Sequence, residues 1–125
     1  MTGKVVLITG ATDGLGRSVA AAAARAGATV LVHGRSEERI AATLAELRSV
    51  TDESRLRSYR ADLASLAQVA GLADAILERE RRLDVLVNNA GVGTRVPGGG
   101  ERVESEDGHE LRRAVQERVV VHDDL

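Results

Sequence analysis

Eight residues, Thr9-Gly10-Ala11-Thr12-Asp13-Gly14-Leu15-Gly16, constrain this chain more than any other stretch. Ahead of them lies Val5-Val6-Leu7-Ile8, an unbroken and mostly β-branched apolar run; behind them Arg17 to Ala26 is alanine-rich and free of helix breakers. The first run reads as a strand buried on both faces and the second as a helix. A glycine-rich turn at that junction aims unpaired backbone N–H groups and the positive end of a helix dipole into one crevice. Such a crevice favours a phosphate or pyrophosphate. Lacking a Cβ, Gly10, Gly14 and Gly16 allow a sharp turn, close approach of a ligand, and packing of the helix on the strand.

The alternation of strand and helix continues along the chain. Lys4–Thr9 is the first strand and Leu15–Ala26 the first helix, with Gly27 as its C-cap. Thr29–His33 follows as a second strand. Ser36 can cap a helix over Glu37–Val50, whose Ile40, Leu44 and Leu47 share a face. Arg55–Arg60 is a weaker third strand in which Leu56 and Ser58 alternate with arginines. Ser65 opens the third helix with Gln68 at capping-box spacing, and Leu66, Val69, Leu72, Ala73 and Ile76 line its apolar face. Asp84-Val85-Leu86-Val87-Asn88 is a fourth, buried strand. This order predicts a parallel sheet with right-handed crossovers and helices on both faces.

The pattern changes after Gly91. Gly93 to Gly100 reads as a mobile loop. Ser105–Val121 reads either as a mostly polar helix or, at Val119-Val120-Val121, as a strand stub. The chain thus divides into a core, residues 1–95, and a loop with a divergent helix or tail, residues 96–125.

Composition closes several routes. At 125 residues the chain fits one domain. Tyr59 is its sole aromatic residue, so the core must be Ala, Val, Leu and Ile. A net charge of −2 gives no basic field for nucleic acid. The absence of cysteine excludes a disulfide framework, a thiolate metal site and a cysteine nucleophile. No apolar run approaches the roughly 18 residues of a membrane span, and the start lacks a signal-peptide pattern, so a cytoplasmic protein with no membrane partner is expected. Lys4 is the only lysine; any mechanism that requires one must use it.

Two phosphate-binding patterns fail on the residues. A Gly-x4-Gly-Lys-Ser/Thr loop would place Ala11 at its first glycine and Arg17 at its lysine. Gly-x-Gly-x-x-Gly fails because the glycines run Gly-x3-Gly-x-Gly. That spacing within Thr9–Gly16, Asp62-Leu63 after the third strand, and Asn88-Asn89-Ala90-Gly91 ending the fourth resemble the short-chain dehydrogenase/reductase family. Each motif ends a predicted strand, and the resemblance covers residues 3–95. It implies a Rossmann-like doubly wound α/β sheet of about four strands here, incomplete on its C-terminal side. It also implies a dinucleotide cofactor. Gly10, Thr12, Asp13, Gly14, Leu15 and Gly16 would surround the pyrophosphate and adenosine ribose. Asp62 and Leu63 would contact the adenine. Asn89, Ala90 and Gly91 would lie against a ribose, with Asn88 and Asn89 also tying the fourth strand to its neighbours.

Charge argues which dinucleotide. An NAD site places a carboxylate about twenty positions past the glycines, on the ribose 2′-hydroxyl. Here the second strand ends His33-Gly34-Arg35-Ser36, and a guanidinium pairs with a 2′-phosphate instead. Arg35 and Ser36 therefore favour NADP over NAD, with Glu37 and Glu38 nearby weighing against; a surface arginine at a helix start is the alternative.

The catalytic half of the resemblance is missing. The family uses a tyrosine as general acid/base, a lysine four positions later that lowers its pKa, an orienting serine, and a relay asparagine. Tyr59 is followed at that spacing by Leu63, and reads as half-buried packing. Gln116 stands about where the asparagine would, within a segment foreign to that helix. His33, His109 and His122 have no metal-like spacing and read as solvated or strand-end residues. The resemblance therefore implies the N-terminal, NADP(H)-binding portion of an alcohol or carbonyl oxidoreductase, truncated and inactive alone. A non-catalytic nucleotide-binding module, or one half of a split enzyme, is the competing reading. An incomplete sheet would leave Val85–Val87 at an open edge, a pairing liability that a second copy or a complementing polypeptide would cover.

Overall fold

A computed structural model describes residues 2–87 and 89, together with the backbone of three later strands. Strand β1 (Val5–Ile8) is apolar throughout because both of its faces are covered. Val6 and Ile8 enter one core, and Leu7 the other. On either side β1 pairs in parallel with β2 (Thr29–Gly34) and with β4 (Val85–Val87). Strand β3 (Leu56–Arg60) lies outside β2. Helices α1 (Gly14–Arg25) and α2 (Glu37–Leu47) cover one face, where Ala20, Ala23, Ala24 and Leu47 pack on Val6, Ile8, Val30 and Val32. Helix α3 (Leu66–Arg79) covers the other face, with Val69, Leu72, Ala73 and Ile76 on Leu7, Leu31 and Leu86. This is the doubly wound parallel α/β sheet that the sequence implies. Its winding reverses between β1 and β4, which opens a crevice at their carboxyl ends.

Three short strands follow: β5 (Val92–Arg95), β6 (Arg102–Glu104) and β7 (Val120–His122). Strands β5 and β6 pair antiparallel, so the expected loop from Gly93 is strand as far as Arg95. Strand β7 pairs in parallel with β4, Val85 opposite Val120, and completes the order β3-β2-β1-β4-β7. The strand-stub reading of the valines therefore holds at Val120-Val121, and the expected open edge of β4 is corrected. Two β-branched residues suffice to carry the pairing there. Of the alternative helix over Ser105–Val121, Val120 and Val121 are strand, and residues 105–119, with His109 and Gln116, lie outside the described residues, as does the loop 96–100.

Some local expectations change for physical reasons. Ser58 is exposed, and β3 instead buries Leu56 in one core and Tyr59 in the other, as a strand touching both layers must. Leu66 is 52% exposed because it opens α3 beyond the reach of the sheet. On α2 Ile40 and Leu47 are buried and Leu44 packs half-buried on the same core, while Thr43 is buried too, its hydroxyl satisfied by the Arg39 carbonyl at 2.9 Å. The Ser65 hydroxyl caps α3 by accepting the Gln68 N–H at 3.3 Å. However, the Gln68 amide oxygen accepts from the Asp62 N–H at 2.7 Å, because the Ser65 N–H already bonds to the Asp62 carbonyl.

Tyr59 joins β3 to the end of α3. Its hydroxyl donates to Glu80 Oε2 at 2.6 Å, and Glu80, with a side chain only 5% exposed, also pairs with Arg57 at 3.3 Å. The Arg79 guanidinium lies 5.9 Å from the Tyr59 ring centre, within cation–π range. Burial first, and then the bond and charge of Glu80, push the Tyr59 hydroxyl up from 10 to about 12. A raised acid stabilises the fold in its neutral form, so this contribution is whole below pH 10 and is lost as pH rises through about 12. Tyr59→Phe is expected to lower stability by about 1.5–3 kcal/mol at pH 8, the worth of a hydrogen bond to a charged group. Urea titrations from pH 9 to pH 12 check this: the wild-type advantage must shrink across the window, and a constant difference contradicts the assignment.

Candidate functional site

The Thr9–Gly16 turn leaves β1 at the crevice. Gly10 and Gly14 have φ of 62° and 54°, a region L side chains avoid. Gly16 is required for a different reason. A Cβ there would stand 2.1 Å from the Gly10 carbonyl oxygen and 2.6 Å from Asn89 Nδ2, so α1 can press onto the turn only through glycine. Around a Cβ built on Gly14 there is open space instead, which leaves that side of the turn accessible to a ligand.

Asn89 locks the other wall. Its N–H donates to Thr9 Oγ1 at 2.9 Å, and its side-chain amide donates to the Gly10 carbonyl at 3.3 Å. Thr9, fully buried, bonds through its N–H and its hydroxyl to the Val87 carbonyl at 3.1 and 3.3 Å. Thus Asn89 does tie the fourth strand to the first. Asn88, Ala90 and Gly91 lie outside the described residues.

The amino end of α1 differs from its neighbours. Helices α2 and α3 are capped by Ser36 and Ser65, whose hydroxyls accept from Arg39 and Gln68 at 3.3 Å. The N-cap of α1, Asp13, makes no capping bond, and no acidic residue occupies the first turn. Its carboxylate pairs with Arg39 at 3.1 Å. The amides of Gly14, Leu15 and Gly16 therefore face the crevice end without a side-chain acceptor among the described residues, an arrangement that attracts an anion. Leu15 beside them is 52% exposed.

At the end of β2, Arg35 is exposed, and its carbonyl accepts from Arg60 Nε at 3.1 Å. Arg60 also pairs with Glu37 at 3.3 Å, which draws that carboxylate toward β3. Ser36 is committed to its cap. Asp62 Oδ1 accepts the Ala64 N–H at 2.9 Å, while Leu63 is buried in the α3-side core, so any contact Leu63 makes with a ligand is through its backbone.

The role overlooked in the sequence is that of His33. It is a strand-end residue, as one of its two expected readings had it, but not a solvated one: it is 3% exposed and cross-links three strand ends. Its Nδ1 accepts from the Gly10 N–H at 3.0 Å, and its Nε2–H donates to the Ala61 carbonyl at 2.9 Å. The signal was a polar residue inside an otherwise apolar strand, which must find partners when buried. Arg39, placed by α2 against Asp13, was overlooked as well. Burial pushes His33 below the ordinary histidine value of 6.5, against the weaker opposing pull of the Ala61 carbonyl. A lowered base stabilises the fold in its neutral form, so this contribution is present above pH 6.5 and is lost as pH falls below it. The stability difference between wild type and His33→Asn is expected to narrow as pH falls from 7 through 6.5 toward the folded value. Urea unfolding of both at each pH checks this; a difference that widens in acid contradicts it.

Tyr59 cannot serve as a base near neutrality, since its hydroxyl is raised rather than lowered, and Lys4 is exposed at the far, amino end of β1. Among the described residues no cluster of His, Asp and Glu could hold a metal, and no helix is long and apolar enough to cross a membrane. Gly16→Ala is expected to cost about 3 kcal/mol or more, since the clash is with backbone and not a flexible side chain. Gly71→Ala is its control: a Cβ on Gly71, within α3, meets nothing within 4 Å. That change is expected to stabilise by about 0.5–1 kcal/mol. Thermal melts of the two variants check both signs.

Comparison with known proteins places this geometry. A family model described as short chain dehydrogenase matches residues 4–117. Human retinol dehydrogenase 13 is 36% identical over 113 residues, 90% of this chain and 33% of that protein. The Pseudomonas aeruginosa RhlG/NADP active-site complex superposes with a TM-score of 0.76 at 29% identity, over 93% of this chain and 48% of the other. A short chain dehydrogenase from Shigella flexneri complexed with NADP gives a TM-score of 0.80 at 26% identity, over 97% and 59%. The chain spans between 24% and 52% of the lengths of eight of the curated relatives it matches.

Proposed function

The chain belongs to the short chain dehydrogenase family, and from that premise we propose that it is the dinucleotide-holding part of an alcohol or carbonyl oxidoreductase, binding NADP in preference to NAD and transferring no hydride alone. The observation that carries this reading is the uncapped amino end of α1, set at the crevice between β1 and β4 behind a turn that only glycine can make. The residues fit such a cofactor because the Gly14 side of the turn is open while its amides lack a side-chain acceptor. Gly10, Thr12, Asp13, Gly14, Leu15 and Gly16 would line the pyrophosphate and adenosine ribose. Asp62 and Leu63 would border the adenine, and Asn89, Ala90 and Gly91 a ribose. When bound, the dinucleotide supplies or accepts the hydride; the chain holds and orients it. Residues 1–95 form this unit, and Val120–His122 adds a strand to its sheet. A second copy or a complementing polypeptide would pair beyond β7, not at β4.

The preference for NADP rests on charge at the end of β2. Arg35 has no side-chain partner among the described residues, and Arg39, in the first turn of α2, is held by one exposed carboxylate that a phosphate can displace. Glu37, which weighed against a phosphate, is neutralised by Arg60. Exchange of Arg35 for Gln removes a charge-assisted hydrogen bond of about 1.5–3 kcal/mol, or roughly 10- to 100-fold in affinity. Titration calorimetry of the purified chain is therefore expected to show NADPH binding weakened by that factor in Arg35→Gln, with NADH binding unchanged. Equal loss for both cofactors refutes the 2′-phosphate role, and no binding of either refutes the dinucleotide reading. Oxidation of NADPH by the 125-residue chain with a simple carbonyl substrate refutes its inactivity.

A further inference from the structure

His33 joins the turn after β1 to the turn after β3, and it does so twice. Its ring bridges the Gly10 N–H and the Ala61 carbonyl, at 3.0 and 2.9 Å. Its backbone carbonyl accepts from the Ala11 N–H at 2.9 Å, and the next carbonyl, of Gly34, accepts from the Ala61 N–H at 3.1 Å. The Gly10 and Ala11 amides are thereby bound to β2. Those that follow, from Thr12 to Gly16, have no acceptor among the described residues. The boundary between anchored and available donors falls where His33 stops reaching. On the far side of the same peptide, the Gly10 carbonyl is held by the Asn89 amide at 3.3 Å. Gly10 is thus gripped from β2 and β4 at once, and the path of the turn into α1 is determined by both grips.

Geometry also selects one form of the ring. An Nδ1 that accepts from an amide and an Nε2 that faces a carbonyl require a neutral imidazole protonated on Nε2. The Tyr59 hydroxyl, on the register partner of His33, is bound to Glu80. Arg60 pairs with Glu37, Asp13 with Arg39, and Asp62 accepts from the Ala64 amide. None of these groups supplies an alternative partner for the ring, and α3 meets this face of the sheet with Val69, Leu72, Ala73 and Ile76.

We propose that His33 is a positioning residue for the dinucleotide: its Nε2–H imidazole anchors Gly10 to β2 and the start of the Asp62 turn to the same ring, so that the amides from Thr12 to Gly16 converge on the phosphates. This rests on the dinucleotide reading above. The same bridge sets where Asp62 leaves β3, so one side chain aligns the phosphate end and the adenine end of the crevice. His33 itself touches no ligand.

The test uses the full chain labelled with nitrogen-15, followed by NMR with and without NADPH. The free chain is expected to show His33 protonated on Nε2 at pH 7, and the Gly10 amide protected from hydrogen exchange. On adding NADPH, the Thr12 to Gly16 amides are expected to shift strongly while Gly10 and Ala11 stay near their free positions. His33→Asn keeps an acceptor where Nδ1 lies and loses the Ala61 bond; His33→Leu loses both. Positioning through both bonds predicts an order: His33→Asn, which loses only the Ala61 bond, binds NADPH about threefold more weakly than wild type, and His33→Leu at least tenfold more weakly, even where the two unfold at the same urea concentration. An Nδ1–H tautomer, Gly10 and Ala11 shifts as large as those of Thr12 to Gly16, or affinity losses that follow stability in both variants overturn the proposal. A His33→Leu chain that does not fold leaves the tautomer and the shift pattern of wild type to decide. If wild type binds no dinucleotide, the functional reading falls and the positioning role falls with it; the free-chain tautomer separates that outcome from failure of the bridge itself.

Discussion

The close approach of α1 to the end of β1 is the constraint from which the remaining geometry follows. Gly16 packs against the Gly10 carbonyl at a distance that excludes even a methyl group, and the Asn89 amide closes on the same oxygen from β4. Were α1 pushed away by a side chain at position 16, its amino end would leave the crevice, and Asn89 would lose its acceptor. The alanines at 20, 23 and 24 extend that proximity along the helix, because small residues let it lie low on Val6 and Ile8. The α1-side core, which holds no aromatic side chain, is thus suited to its task. It sacrifices the burial that large rings would bring, and brings a helix dipole close to the ends of two strands.

Most of the architecture was legible because each layer writes a distinct pattern. Strands buried on two faces show unbroken apolar runs, as in β1 and β4, and helices on one face show threefold and fourfold spacing, as in α3. The glycine spacing and the asparagine pair marked the crevice because backbone conformation and close contact restrict those positions to few residue types. Illegible features were those decided by partners remote in sequence. His33 lies 23 residues from Gly10 and 28 from Ala61, and no periodicity connects them. Ser58, expected to alternate inward with Leu56, is exposed, and β3 instead buries Tyr59 in the opposite core because it touches both layers. Gln68 fits a capping box by spacing, yet the donor it would serve was already bonded to the Asp62 carbonyl. The pairing of β7 with β4 depended on which of two readings of three valines finds a neighbour, a matter of tertiary contact.

Three acidic side chains on the α1 and α2 side of the fold are held by arginines, whereas Glu38 has no ion pair among the described residues. Asp13 is held by Arg39, Glu37 by Arg60, and Glu46 by Arg17. These pairs are solvent-exposed and add little stability. Their effect is on the local field, because each cancels a negative charge that would repel a phosphate at the α1 amino end. Arginine suits this better than lysine, since its planar fork can hold a carboxylate and still present further N–H groups to a second anion. Asp13 caps α1 by position and pairs with Arg39 of α2, so on the proposed dinucleotide reading a phosphate would compete with a carboxylate for Arg39.

Catalysis needs the opposite arrangement around a phenol. A tyrosine works as an acid or base near neutrality only if a neighbouring cation lowers its pKa. The sole tyrosine of this chain is hydrogen-bonded to a nearly buried carboxylate, and that carboxylate raises it more than Arg79 and Arg57 lower it. No small rearrangement converts one environment into the other. Bringing Lys4 to Tyr59 would require crossing the sheet, since they stand on strands separated by β2 and at opposite ends of them. Releasing Glu80 would leave a charge stranded at the end of α3. The fold therefore provides the crevice proposed for the dinucleotide and, among the described residues, no tyrosine poised as a proton carrier near neutrality. The two functions separate cleanly because the crevice is built from backbone and glycine, which the first four strands supply, whereas proton transfer depends on side chains those strands do not carry.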